Sequence, residues 1–168
     1  MKSDYKRSNR IIAEWPEEMP LALWDKVFIV LIVAFALVPI GHLAFAYGSL
    51  PAEISLAGEA ATKWLLIVVA GADLLCAASA IAQIVFSRPI FVADELICRP
   101  AEEIIHGMRL FSGLTGCILV LFFAYILEIS LLGKVFHTGA LIAAIVLIAV
   151  MGIVYMTWLK RGKYTERE

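Results

Sequence analysis

Four apolar runs constrain this chain more than any other feature. They cover Val27–Tyr47, Trp64–Phe86, Leu110–Leu132 and Val135–Leu159, and within them only Asp73 and Glu128 carry a formal charge. A bilayer core about 30 Å thick is crossed by about 20 helical residues rising 1.5 Å each, and every run reaches that length. Hydrocarbon offers no partner to a free backbone group, so continuous apolar runs of this size must close their hydrogen bonds internally, as helices. The chain as a whole is 62% apolar and 17% charged, against about 45–50% and about 25% in soluble domains. That balance excludes a soluble globule, a nucleic-acid binder, a disordered tail and a secreted disulfide scaffold.

The sequence therefore predicts an all-α, polytopic membrane protein, an antiparallel four-helix transmembrane bundle with spans at 27–47, 64–86, 110–132 and 135–159. Leu132-Gly133-Lys134-Val135 reads as a tight helical hairpin, because one unbroken helix across spans three and four would overshoot any bilayer. Lys and Arg set the orientation. Twelve of them fall in residues 1–26, in the loop 87–109 and in the tail 160–168, whereas Lys63 and Lys134 stand alone on the other side. Both termini are thus expected in the cytoplasm of a bacterial cell, with 1–26 as a cytoplasmic or interfacial lead-in. Ile11, Trp15, Met19 and Leu23 lie four apart there, interrupted by Pro16 and Pro20. Trp15, Trp24, Trp64 and Trp158 mark span edges, as interfacial aromatics do. The first 26 residues are too polar for a cleaved signal peptide. Within loop 87–109, Pro100 followed by Glu102 and Glu103 reads as a helix start; the helix either runs unbroken into span three, over Pro100–Leu132, as a protruding stalk, or bends and lies at the interface.

Candidate chemistry is sparse. Asp73 sits nine residues into span two, near the midplane, where a carboxylate costs several kcal/mol unless neutralised or paired. Glu128, His42 and His137 lie in the external halves of the other three spans. This intramembrane polar cluster could relay protons, bind a cation or hold a quinone headgroup. The alternative is that Glu128 and His137 snorkel to water while Asp73 is protonated or bonded to Ser79 or a neighbouring helix. Glu103 and His106, three apart, share a helix face. One such pair falls short of a di-iron centre, so Glu102, Glu103, His106 and Arg109 are expected to form a cytoplasmic contact through surface links. Cys76, Cys98 and Cys117 match no metal knuckle or redox pair. No metal and no cofactor is expected, and no nucleophile–base set or phosphate-binding loop is present.

Small residues crowd span two, and span three adds Ser112, Gly113 and Gly116. Close approach through such residues drives helix association in lipid. The four-span layout and size are similar to those of the small membrane subunits of tripartite periplasmic-substrate transporters, a likeness of layout without a shared motif. The leading expectation is a non-catalytic accessory or interaction subunit of a membrane complex. Its partners would be the lipid bilayer and another membrane subunit or a second copy, with no nucleic acid. The alternatives are an oligomeric small transporter or proton/cation-handling protein centred on Asp73, and a redox subunit binding quinone or haem.

Overall fold

The computed structural model describes residues 19–56, 59–86, 101–134 and 136–160. Four helices dominate it: α1 (Leu23–Ala46), α2 (Leu65–Val85), α3 (Ala101–Leu131) and α4 (Thr138–Lys160). Each is long and apolar enough to cross a membrane, so the chain is a multi-pass membrane protein. Of the two courses open to the helix read at Pro100, the unbroken one is found: α3 is continuous over Ala101–Leu131, 31 residues. At 1.5 Å per residue it is about 46 Å long, well beyond a 30 Å core.

Glycine ends α3. Gly133 takes φ +61°, the left-handed conformation that glycine adopts without a Cβ penalty. Lys134 N–H then bonds Ile129 C=O at 3.0 Å and Gly133 N–H bonds Ser130 C=O at 3.3 Å. This paired closure of the last carbonyls is a Schellman motif. It separates α3 from α4 where the sequence offers a single charge.

The loop between α1 and α2 carries secondary structure of its own. A short 3-10 turn, Tyr47–Ser49, follows α1, and β1 (Glu53–Leu56) then pairs antiparallel with β2 (Glu59–Thr62). Ile54 is buried and joins Leu43, Leu66 and Leu127, so the hairpin seals one end of the bundle. Lys63 fastens it: its ammonium lies 5.0 Å from the Tyr47 ring centroid and donates to Leu50 C=O at 3.4 Å.

Helix α3 is the hub, and glycines make it so. A Cβ on Gly113 would fall 2.6 Å from the Phe28 ring of α1, and one on Gly116 would fall 2.5 Å from the Cβ of Ala80 on α2. On the outer side, a Cβ on Gly107 would fall 2.6 Å from the Trp158 ring of α4. One glycine thus admits each neighbour. Contacts between α1 and α3 advance together along both helices, from Asp25–Arg109 through Phe28–Gly113 to His42–Glu128. The buried core belongs to α1, α2 and α3, joined by Ile54 of β1, in two clusters. One gathers Ile32, Ala36, Ala77, Ala80, Ile84 and Val120; the other gathers Leu43, Ile54, Leu66, Ala70 and Leu127. Helix α4 packs chiefly against α3, and none of its most apolar window is buried.

Candidate functional site

On α2 the buried residues are Leu66, Ala70, Asp73, Ala77, Ala80 and Ile84, an inward row at spacings of four and three. Asp73 stands in the middle of that row, between the two apolar clusters, and is 0% exposed. Both of its carboxyl oxygens lack a hydrogen-bond partner. Ser79, offered by the sequence as a partner, is exposed on another side of α2. Counting 1.5 Å per residue from Leu65, Asp73 lies about 12 Å along the helix. An ionised carboxylate without a partner is prohibitively costly in such surroundings, so this geometry requires a neutral acid or a bound counter-charge.

His42 and Glu128, 86 residues apart in sequence, are brought together. His42 Nδ1 lies 3.0 Å from Glu128 Oε1 and 2.9 Å from Oε2. The pair is half-exposed, with side chains 47% and 36% accessible. It sits within two turns of the ends of α1 and α3. His137 does not join it through a side-chain contact. It is exposed, and its backbone N–H points to Tyr125 Oη at 3.4 Å. The four residues of the expected cluster therefore separate into a histidine–carboxylate pair, a sealed acid and a surface histidine.

At the opposite end of α3, Arg109 turns inward. Only 3% exposed, it places Nη1 3.4 Å from Asp25 Oδ2 and donates from Nη1 to Pro20 C=O at 3.0 Å and from Nη2 to Met19 C=O at 2.9 Å. Asp25, third residue of α1, also accepts the Ala22 N–H at 2.9 Å, which satisfies one of the free donors of the helix start. The expected surface link between Arg109 and its helix neighbours gives way to this tie between α3 and the lead-in of α1. Arg109 Nη1 and Nη2 are satisfied there, while the buried Nε has no hydrogen-bond partner among the described residues. Glu102, Glu103 and His106 stay exposed, and Glu103 and His106 line a groove between α3 and α4.

Asp25 escaped notice because it lies 84 positions from Arg109. Its one signal was topological: spans one and three start on the same side, and these are the charges at their mouths. A second tie missed by the sequence is Ser112 Oγ donating to Gln83 Oε1 at 3.1 Å across α2 and α3. Among the described residues, no three metal-ligating side chains come together. Cys98 and the lead-in face of Ile11 and Trp15 lie outside the described residues. No family model, curated protein or solved structure matches this chain.

Proposed function

We propose that this protein is a non-catalytic interaction subunit of a membrane assembly, an antiparallel bundle of four spans with both termini in the cytoplasm. The twelve-to-two division of Lys and Arg supports the orientation. The observation that carries the function is the division of small residues on α2. Ala70, Ala77 and Ala80 are spent on the inner seam against α1 and α3. Gly71, Ala78 and Ala82 form a second row on the far side of the helix, with open space beside Gly71 and with Ala78 and Ala82 exposed. On α4, Gly139 likewise has open space and Ala143 is exposed four residues on. A monomer in lipid gains nothing from a second row, whereas a neighbouring span can approach closely along it.

The experiment compares the two rows. Replacing both Ala78 and Ala82 by Leu should leave the fold intact and strip partner mass from the complex extracted in mild detergent. Ala77→Leu, on the inner row, should instead destabilise the chain by about 1–3 kcal/mol through overpacking. If the outer double variant keeps its wild-type mass, that row faces lipid and the proposal fails.

Asp73 favours a second reading, in which the protein handles protons or a cation. A buried acid with two orphaned oxygens lowers stability without structural return, and such groups in spans mark function.

A further inference from the structure

Asp73 and Pro39 share one level of the bundle. The buried residues of α1 are Asp25, Ile32, Ala36, Pro39 and Leu43. Ile32 and Ala36 pack with Ala77, Ala80 and Ile84 of α2, whereas Leu43 packs with Leu66 and Ala70. That register leaves Pro39 between the two clusters on α1, as Asp73 is on α2. Proline has no N–H to give, so Phe35 C=O, four residues back, lacks its helical donor on the side of α1 that Pro39 occupies. Two residues on, Gly41 has open space beside it. Helix α1 is therefore least firmly bonded at the level of the acid.

Space and partners limit what Asp73 can hold. It is 0% exposed, so no water-sized space adjoins it, and no described group bonds either carboxyl oxygen. Hard metal ions take about six or more oxygen ligands, and one carboxyl with one freed carbonyl falls well short. The titratable groups at this level of the neighbouring helices are engaged elsewhere: His42 of α1 with Glu128 of α3, and Tyr125 of α3 with the His137 N–H. Among the described cationic side chains, Arg109 is committed to Asp25 and Lys63 to Leu50 C=O, while Lys26 and Lys134 are exposed. A proton needs neither room nor a ligand shell, and it removes the cost of a buried ion. We propose that Asp73 is a proton-carrying site, closed over by α1, α2 and α3, and loaded or emptied only when α1 opens at Pro39. This rests on the second reading above and narrows it from a proton or a cation to a proton. Ionisation requires water at the carboxyl, and α1 can part at that turn without losing a bond to residue 39, because none exists.

The test follows the proton itself, in the full chain in a maltoside micelle at neutral pH. The infrared spectrum should contain the C=O stretch of a protonated carboxyl, which Asp73→Asn removes and Glu128→Gln leaves in place. In D2O that band should shift as the proton exchanges. Pro39→Ala, which restores the bond to Phe35 C=O, should slow the shift about tenfold or more. Sodium, potassium and choline chloride should leave the band alike. Absence of the band overturns the proposal. If sodium or potassium removes it and choline does not, the occupant is a metal ion, so the proposal falls and the second reading survives. A band that never shifts in D2O marks a fixed neutral group, and both fall together. Exchange at the wild-type rate in Pro39→Ala overturns the opening at Pro39. Should that variant fail to fold, Gly41→Ala, whose added Cβ meets nothing, stiffens the same turn and should slow the shift in its place.

Discussion

The end of the bundle at Arg109 and the centre at Asp73 each bury an aspartate, and they treat it in opposite ways. Asp25 is 4% exposed and has a guanidinium at 3.4 Å and a backbone N–H at 2.9 Å. Asp73 is 0% exposed and has neither. The difference follows from position. At the helix mouths the chain turns, and its turning supplies carbonyls, N–H groups and a long basic side chain. At mid-helix every backbone group is already spent, and the row about Asp73 is Ala70, Ala77 and Ala80. A charge is structural where the surroundings can pay it back, and a cost where they cannot.

Breaking the paired end should have the largest effect. Arg109→Met strands the Asp25 carboxylate and the carbonyls of Met19 and Pro20, and should cost about 3–5 kcal/mol, as loss of one member of a buried pair does. Unfolding of the micelle-bound protein by dodecyl sulfate measures it. Pairing that change with Asp25→Asn should recover most of the loss, because the stranded charge rather than the missing bond is the larger penalty. A loss under 1 kcal/mol in Arg109→Met would mean that water reaches the pair.

The centre should behave in the opposite sense. With no bond to lose, Asp73→Asn should keep the fold, and Asp73→Leu should leave stability unchanged or raise it by about 1 kcal/mol, since a buried unsatisfied group costs about 1–3 kcal/mol. Leu is bulkier than Asp, so overpacking against this seam of small residues offsets part of that gain. If Asp73→Leu destabilises by 2 kcal/mol or more, the carboxyl holds a water or cation worth keeping, and the two regions are alike after all. Loss of activity or coupling in a stable Asp73→Asn would support the second functional reading.

What the sequence could show here depended on whether the signal was one of run length or of facing. Span number and the α3–α4 break were legible because apolar length and a lone glycine-lysine pair are local facts. The partition of the helices was not. Residues such as Val30, Leu37 and Val38 on α1, or Ile142, Ile145 and Val146 on α4, are as apolar as Ile32 yet exposed, so no amphipathic stripe marks the inner face when lipid is the surroundings. Gly107, Gly113 and Gly116 were visible as small residues, but not as three separate seats for three helices. Asp73 announced itself because acids in spans are rare, while its lack of any partner is a property of the packing. The hairpin left a faint signature, Ile54 and Leu56 flanking Ser55 ahead of Gly58, too short to outweigh a loop.

The smallest effect belongs to the third acid, and it tests whether burial or charge governs the contrast. Glu128 is closely paired, at 2.9 Å from His42 Nδ1, but the pair is half-exposed and near the helix ends. An ion pair of that accessibility is worth about 0–1 kcal/mol. His42→Gln, Glu128→Gln and the double variant should therefore each shift the dodecyl sulfate midpoint only slightly, with a coupling energy no greater than about 1 kcal/mol. What coupling there is should shrink on adding salt, since the Debye length falls from about 10 Å at 0.1 M to about 3 Å at 1 M. A coupling above 2 kcal/mol, insensitive to salt, would place lipid or a partner helix over the exposed edges of both side chains. The short distance would then describe a second buried pair, and the contrast between paired ends and an unpaired centre would extend along the whole length of α3.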